Sequence, residues 1–217
     1  FGTLDTDEDW DCEARRYYFN IVGKYGMQVQ SVLKKASKLD IKTICPLHGP
    51  LLRENLEHYI NKYDIWSKYE TESEGVYIAC ASIHGNTLKV CEKLKEILEK
   101  KGAAKVVLAD LSREDWAEAV EDSFRYGKIV FASATYDMGI FTPMRDLLLN
   151  LKEKNYQNKK VAIIENGTWA PNAARCMKEI ISTMKNIEIV EPVVTIKSTL
   201  KEENIEKLNE LTENLLK

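Results

Sequence analysis

One stretch constrains this chain more than any other: Gly75-Val76-Tyr77-Ile78-Ala79-Cys80-Ala81-Ser82-Ile83-His84-Gly85-Asn86-Thr87. Residues 75–81 are apolar and partly β-branched, the pattern of a central parallel strand covered on both faces. Ser82 to Thr87 then bring two hydroxyls, a glycine and an amide together in one short loop. Beyond it the apolar residues Val90, Cys91, Leu94, Ile97 and Leu98 fall at helical spacing. A loop that joins a strand to a helix N-terminus turns free N–H groups outward at the positive end of the helix dipole, which favours a phosphate. The plain alternative is a polar cap that only starts a helix.

The loop contains neither G-x-x-x-x-G-K-[ST] nor G-x-G-x-x-G, which disfavours a P-loop NTPase and the usual dinucleotide fingerprint. Its nearest base is Lys89. Hydroxyls and N–H groups with little cationic help suit a buried monophosphate. Downstream the pattern alternates. Strands are expected at 105–111, 127–132, 160–165 and 187–196, with a helix start at Ser112-Arg113-Glu114-Asp115. Helical stripes run through Met144, Leu147, Leu148 and Leu151, through Ala173, Met177, Ile180, Ile181 and Met184, and through Ile205, Leu208, Leu211 and Leu215. Five strands alternating with five helices predict an α/β, doubly wound, five-stranded parallel sheet of flavodoxin-like order 2-1-3-4-5. The second strand falls at an edge, Pro192 marks a bend or bulge, and a ligand belongs at the carboxyl ends of the strands.

Composition narrows the function classes. With 217 residues, 44% apolar and 30% charged, the chain reads as a soluble globular protein with a full core. A net charge of −3 gives no basic surplus for nucleic acid, and no apolar run is long enough to span a membrane. The five cysteines, Cys12, Cys45, Cys80, Cys91 and Cys176, are scattered, form no C-x-x-C and follow no signal-like stretch. They read as reduced thiols in a cytoplasmic protein.

Residues 1–70 form no complete fold by pattern. The opening Phe1-Gly2-Thr3-Leu4 reads as a start in mid-sequence, as in a fragment of a longer protein. Residues 7–25 are expected to be helical, with Tyr17, Tyr18, Ile21, Val22 and Tyr25 on one face. Val29, Val32, Leu33 and Ala36 stripe a second helix, and Leu56, Tyr59, Ile60, Tyr63 and Trp66 a third. Between them lie a short strand at 41–45 and the proline-bracketed turn Cys45-Pro46-Leu47-His48-Gly49-Pro50. His48 in such a loop is exposed enough to ligate metal, although a lone loop histidine is more often just that. His58 sits on a charged helix and reads as solvated. The acidic residues 70–74 read as a spacer, which makes 1–70 and 75–217 two domains with a linker at 71–74.

Three loops carry a resemblance to a known family. Ser82-Ile83-His84-Gly85-Asn86-Thr87 resembles the S/T-x-x-G-N-T phosphate loop of flavodoxins, which hold FMN. The loop after the third strand, Ser133 to Pro143, and the loop after the fourth, Asn166-Gly167-Thr168-Trp169-Ala170-Pro171, resemble the flavin-bordering loops of flavodiiron proteins (A-type flavoproteins). Ala134 stands where that family usually has Pro, and Asn166 and Thr168 stand in a stretch more often Ser and Gly. The resemblance implies that Ser82, Ile83, His84, Gly85, Asn86 and Thr87 surround the FMN phosphate. It further implies that Ala134, Thr135, Tyr136, Asp137 and Gly139 meet the ring edge, and that Asn166, Gly167, Thr168, Trp169 and Ala170 flank the ring. Core packing or plain surface exposure is the alternative for Tyr136 and Trp169, solvation for His84, and turn capping for Asp137.

The turn at 45–50, with its neighbours at 18–25 and 63–69, resembles the last metal-binding loop of the metallo-β-lactamase-like domain that precedes the flavodoxin domain in flavodiiron proteins. The resemblance implies that His48 is a metal ligand of a diiron centre belonging to a full-length parent. The family's H-x-E-x-D-H stretch does not occur in this sequence, and its bridging Asp would lie upstream of Phe1. The implied function is the FMN-binding, electron-transfer part of an oxidoreductase that in full length reduces O2 to water or NO to N2O. The implied donor is rubredoxin or a flavin- or NADH-linked reductase, and the implied parent assembly a head-to-tail homodimer. Rival readings are a stand-alone flavodoxin-type electron carrier and an interaction module without cofactor. A receiver domain of the same fold is disfavoured, because Ala79-Cys80-Ala81-Ser82 offers no acid at the end of the first strand.

Overall fold

Two apolar layers, one on each face of a single sheet, account for the run of apolar residues in its first strand. The computed structural model describes residues 10–217. In β1 (Ser73–Ala81) the alternate residues Tyr77, Ala79 and Ala81 enter one layer. Val76, Ile78 and Cys80 enter the other. The first layer is closed by α5 (Trp116–Arg125), α6 (Thr142–Glu153), α7 (Ala173–Ile181) and the N-terminal helices, and the second by α4 (Asn86–Lys100) and α8 (Glu202–Leu216). A strand buried on both faces has no polar side to show, so its pattern is continuous rather than alternating.

The parallel strands β1, β2 (Val106–Asp110), β3 (Tyr126–Tyr136), β5 (Gln157–Asn166) and β6 (Lys185–Ile196) lie in the order β2-β1-β3-β5-β6. This is the expected doubly wound order, with β2 at an edge. β4 (Gly139–Ile140) was not expected. It turns back antiparallel on β3, pairing Thr135 with Ile140 and Tyr136 with Gly139, so the third strand runs past the expected end at 132. Between Ala162 and Ile164 the register to β6 jumps from Val190 to Val194, a bulge that accommodates Pro192. No described helix is long and apolar enough to cross a membrane.

The N-terminal arm comprises α1 (Trp10–Tyr17), a π-helical turn (Tyr18–Val22), a 3-10 turn (Gly23–Tyr25), α2 (Gly26–Ala36) and α3 (Leu56–Ser67). Residues 7–9 of the expected first helix, and the opening at 1–4, lie outside the described residues. The expected apolar face is corrected by the π-helical turn. Its extra residue rotates the chain, so that Tyr18 and Phe19 are buried while Tyr17, Ile21 and Tyr25 stay exposed. The expected strand at 41–45 reduces to an isolated antiparallel bridge between Ile44 and Leu52. The next hydrogen-bonded pair of such a ladder would be Pro46 and Pro50, and neither has an N–H to give.

The arm packs on the α/β unit. Phe19 stacks on Phe124 of α5 with centroids 4.2 Å apart. Arg15, itself buried, donates to Glu72 at 2.7 Å and lies 3.7 Å from Glu121 of α5. Glu72 also accepts from Lys62 at 2.8 Å and from the Trp66 indole at 2.6 Å. Residues 70–74 are thus no free spacer: Glu72 is buried in this network and Ser73 and Glu74 already belong to β1.

Candidate functional site

At the carboxyl ends of the strands a cavity of about 360 Å³ opens between the loops after β1, β3, β5 and β6. The loop after β1 contributes Ser82, Ile83, His84, Asn86 and Thr87; the β3–β4 hairpin contributes Ala134, Thr135, Asp137 and Met138. The loop after β5 contributes Asn166 through Ala170, and the loop after β6 contributes Ser198. Thirteen of the sixteen residues singled out for the cofactor therefore share one cavity; Gly85, Tyr136 and Gly139 do not line it. Sequence reasoning missed Met138 and Ser198. Their signal was positional, since each sits on a loop at the carboxyl end of the sheet.

The loop after β1 leaves several hydrogen-bond donors without protein partners. Ser82 is 8% exposed, and its hydroxyl oxygen is buried with no hydrogen-bond partner. Such an orphan is costly unless something outside the protein completes it. Gly85 precedes α4 with φ +83°, and no side chain caps the helix. The first intrahelical bond of the turn runs from the Lys89 N–H to the Gly85 carbonyl, which leaves the N–H groups of Asn86, Thr87 and Leu88 before it at the dipole's positive end. Close approach of protein atoms is not what requires glycine at 85. A Cβ there would meet nothing within 4 Å, and the requirement comes from the left-handed φ. At the base of the loop, contact with the Cys91 thiol and burial push the Cys80 thiol upward, so thiolate chemistry has no place there.

The β3–β4 hairpin turns through Asp137 and Met138, both left-handed at φ 48° and 58°. Two left-handed central residues match the twist of a two-residue hairpin, a turn usually served by Asn and Gly. The hairpin is tied down by Asn172, whose side chain donates to the Met138 carbonyl at 2.6 Å. Thr135 accepts from the N–H groups of Asn172 and Ala173 at 3.0 and 3.2 Å, so it caps α7 as well as facing the cavity. Glu165, at the end of β5, is likewise engaged by the Ala174 N–H and the Thr195 hydroxyl.

The aromatics stand outward. Trp169 is 93% exposed on the cavity wall, and Tyr136 is 54% exposed with its ring 5.9 Å from Phe141. Neither is packed in the core. Indole and phenol surfaces left in water beside a cavity are surfaces for a planar ligand or a partner. His48 is remote from this group: it is exposed on the arm, with its ring 5.2 Å from that of Tyr17. Among the described residues no group of three or more His, Cys, Asp or Glu side chains is placed to hold a metal ion.

The site thus has a polar, N–H-rich pocket at one end and exposed aromatics at the other. It can hold an elongated ligand that carries an anion at one end and a flat ring at the other.

No family model matches the chain. A nitric oxide reductase from Moorella thermoacetica is 26% identical over 205 residues, 92% of this chain and 50% of that protein. The rubredoxin oxygen:oxidoreductase of Desulfovibrio gigas superposes with a TM-score of 0.86 at 20% identity, over 94% of this chain and 51% of its own. The flavodiiron protein of Giardia intestinalis superposes with a TM-score of 0.82 at 22% identity, over 93% and 50%. The chain spans about half the length of the curated relatives it matches. In sequence and in fold, over a flavodoxin-like α/β unit with its helical arm, the chain is similar to flavodiiron proteins.

Proposed function

We propose that this chain binds FMN in the cavity at the strand ends and serves as the electron-transfer part of a flavodiiron oxidoreductase. The observation that carries the reading is the unpartnered, buried Ser82 hydroxyl beside the open N-terminus of α4. A terminal phosphate would complete both, its oxygens accepting hydrogen bonds from the Ser82 hydroxyl and from the N–H groups of Asn86 and Thr87. The absence of a flanking lysine or arginine in residues 82–87 favours a monophosphate over a pyrophosphate, hence FMN over FAD. Thr135 and the backbone of the β3–β4 hairpin would face the ring edge, and Trp169 would cover or flank its plane. When bound, FMN supplies one- and two-electron redox chemistry. The protein's part is to hold the phosphate, fix the ring and leave its rim open to a donor. The proposed donor is rubredoxin or a flavin- or NADH-linked reductase, and the proposed setting is the cytoplasm.

The gas chemistry, O2 to water or NO to N2O, belongs in this reading to a full-length parent, as do the diiron centre and the head-to-tail dimer. The donor set of the described residues does not fit two irons. His48 offers one exposed imidazole, without the carboxylates that would bridge and neutralise two cations. The arm favours this reading over a stand-alone carrier, since a carrier has no use for an added helical arm locked on by Phe19 and Arg15.

The test is titration of the purified protein with FMN, FAD and riboflavin, followed by flavin fluorescence. FMN should bind most tightly, and Ser82→Ala should narrow its advantage over riboflavin. A protein that takes up no added FMN overturns the reading. After ferrous reconstitution and desalting, the same protein should retain well under one iron per chain.

A further inference from the structure

Asn166 was expected to touch the cofactor, but its side-chain amide is already engaged. It donates to the Ser198 carbonyl at 3.0 Å and accepts from the Ser198 N–H at 3.1 Å. The residue is 7% exposed at the end of β5, in register with Ile196 of β6 and Ala134 of β3. Its neighbour Gly167 donates to the Ile196 carbonyl at 3.0 Å. Thr168 and Ser198 then meet hydroxyl to hydroxyl at 3.1 Å on the cavity wall. Ser198 holds a left-handed φ of 70°, which the two amide bonds from Asn166 offset.

We propose that the loop after β6 is a fourth wall of the flavin site. In it Asn166 is a positioning residue, and the Thr168–Ser198 hydroxyl pair hydrogen-bonds the part of the ligand remote from the phosphate. One hydroxyl proton of the pair is used between the two oxygens. The other, with the remaining lone pairs, faces a polar ligand edge. The sheet order fixes which end of the ligand this is. From β1, which leads into the phosphate loop, to β6 are three strand spacings, on the order of 14 Å across the sheet. A group held there lies beyond reach of the phosphate and meets the ring end, beside Trp169. The proposal rests on the FMN reading and adds a loop and two residue roles to it.

The experiment compares FMN with riboflavin, which lacks the phosphate, on the wild type and on Ser198→Ala, Asn166→Ala and Asn166→Asp. The expected result is a fall in affinity of about five- to tenfold for both ligands with Ser198→Ala and Asn166→Ala, since one hydrogen bond is lost at the ring end. Asn166→Asp keeps the acceptor for the Ser198 N–H and should recover part of it. Ser82→Ala should by contrast weaken FMN and spare riboflavin. If wild-type protein binds FMN and the Ser198 and Asn166 variants bind both ligands unchanged, the fourth wall is wrong while the FMN reading stands. A loss confined to FMN would put the pair at the phosphate and overturn the proposal equally. If Asn166→Ala loses fold, Ser198→Ala decides alone. No flavin binding by wild type overturns both.

Discussion

The arm and the α/β unit leave apolar surface exposed in different ways. On the arm Tyr17, Ile21, Tyr25, Met27, Val32, Leu39 and Leu47 are exposed along helices and turns, and of these Leu39 alone lines the cavity between α2 and α3. On the α/β unit, four of the six exposed large apolar residues, Ile83, Tyr136, Met138 and Trp169, stand on the loops at the cavity end of the sheet. Convergent exposure around a concave site marks a ligand or partner at that site; exposure spread over a helical face is of interface type. The two regions also differ in how they bury charge. The arm is held by a paired network in which Glu72 answers Arg15, Lys62 and Trp66, whereas the α/β core buries Lys159 with only the Phe124 carbonyl at 2.7 Å.

The strongest way to break this comparison is to remove Glu72. Glu72→Ala leaves Arg15 buried beside Glu121 alone, and breaking a buried pair of this kind costs about 3–5 kcal/mol. Urea denaturation should show that loss, with new proteolytic cleavage within residues 10–72. A change below about 1 kcal/mol would mean that the aromatic stack, not the ion network, holds the arm. Burial alone would raise the Glu72 carboxyl, but Lys62, Arg15 and Trp66 together pull it below the ordinary range. Its contribution is therefore present at neutral pH and fades as pH falls below that range. Glu121 acts in the opposite sense. Burial pushes it up to about 7, so stability is lost as pH rises from the ordinary carboxylate range through 7.

Lys159 sharpens the contrast between paired and unpaired charge. Burial lowers it from the ordinary 10.5 to about 7. The unfolded chain then binds more protons than the folded one between those values, and stability should rise with pH across that window, by at most about 1.4 kcal/mol per pH unit. Lys159→Met should abolish this rise. An equal slope in wild type and variant would place the titration elsewhere.

Gly85 tests the phosphate end. Gly85→Val puts a β-branched residue at φ +83°, where L-residues pay roughly 1–2 kcal/mol, and FMN affinity should fall by at least about tenfold. Unchanged affinity in a fluorescence titration would put the phosphate elsewhere. A smaller stability effect is expected at Trp169. At 93% exposure Trp169→Ala should change stability by no more than about 0.5 kcal/mol, yet weaken flavin binding several-fold. Met27→Ala on the arm should change neither by a measurable amount. If Trp169→Ala also leaves binding untouched, the two kinds of exposed apolar surface are alike, and the comparison fails.

The sheet and its strand order were legible because each strand carries a local apolar run and each helix a 3.6-residue stripe. The strand–loop–helix at 82–87, where we propose that a phosphate binds, was legible as a structural element because a helix start after a buried strand needs no distant residue to be recognised. Other features depend on what the chain meets in space. Thr135 and Asn166 line the cavity, and what no local pattern shows is that their side chains also hold α7 and the Ser198 loop across 30 or more residues. The π-helical turn that buries Tyr18 and Phe19 follows from docking against Phe124 and Trp66, which no periodicity encodes. The acidic stretch at 70–74 read as solvated spacer because charge usually seeks water, and Arg15 and Lys62, which make burial of Glu72 tolerable, come from elsewhere in the chain. By itself the sequence determined the alternation of elements and the chemistry of each loop, both local in origin. Only the tertiary structure decided which polar groups remain free for a ligand, because that depends on partners brought together from distant parts of the chain.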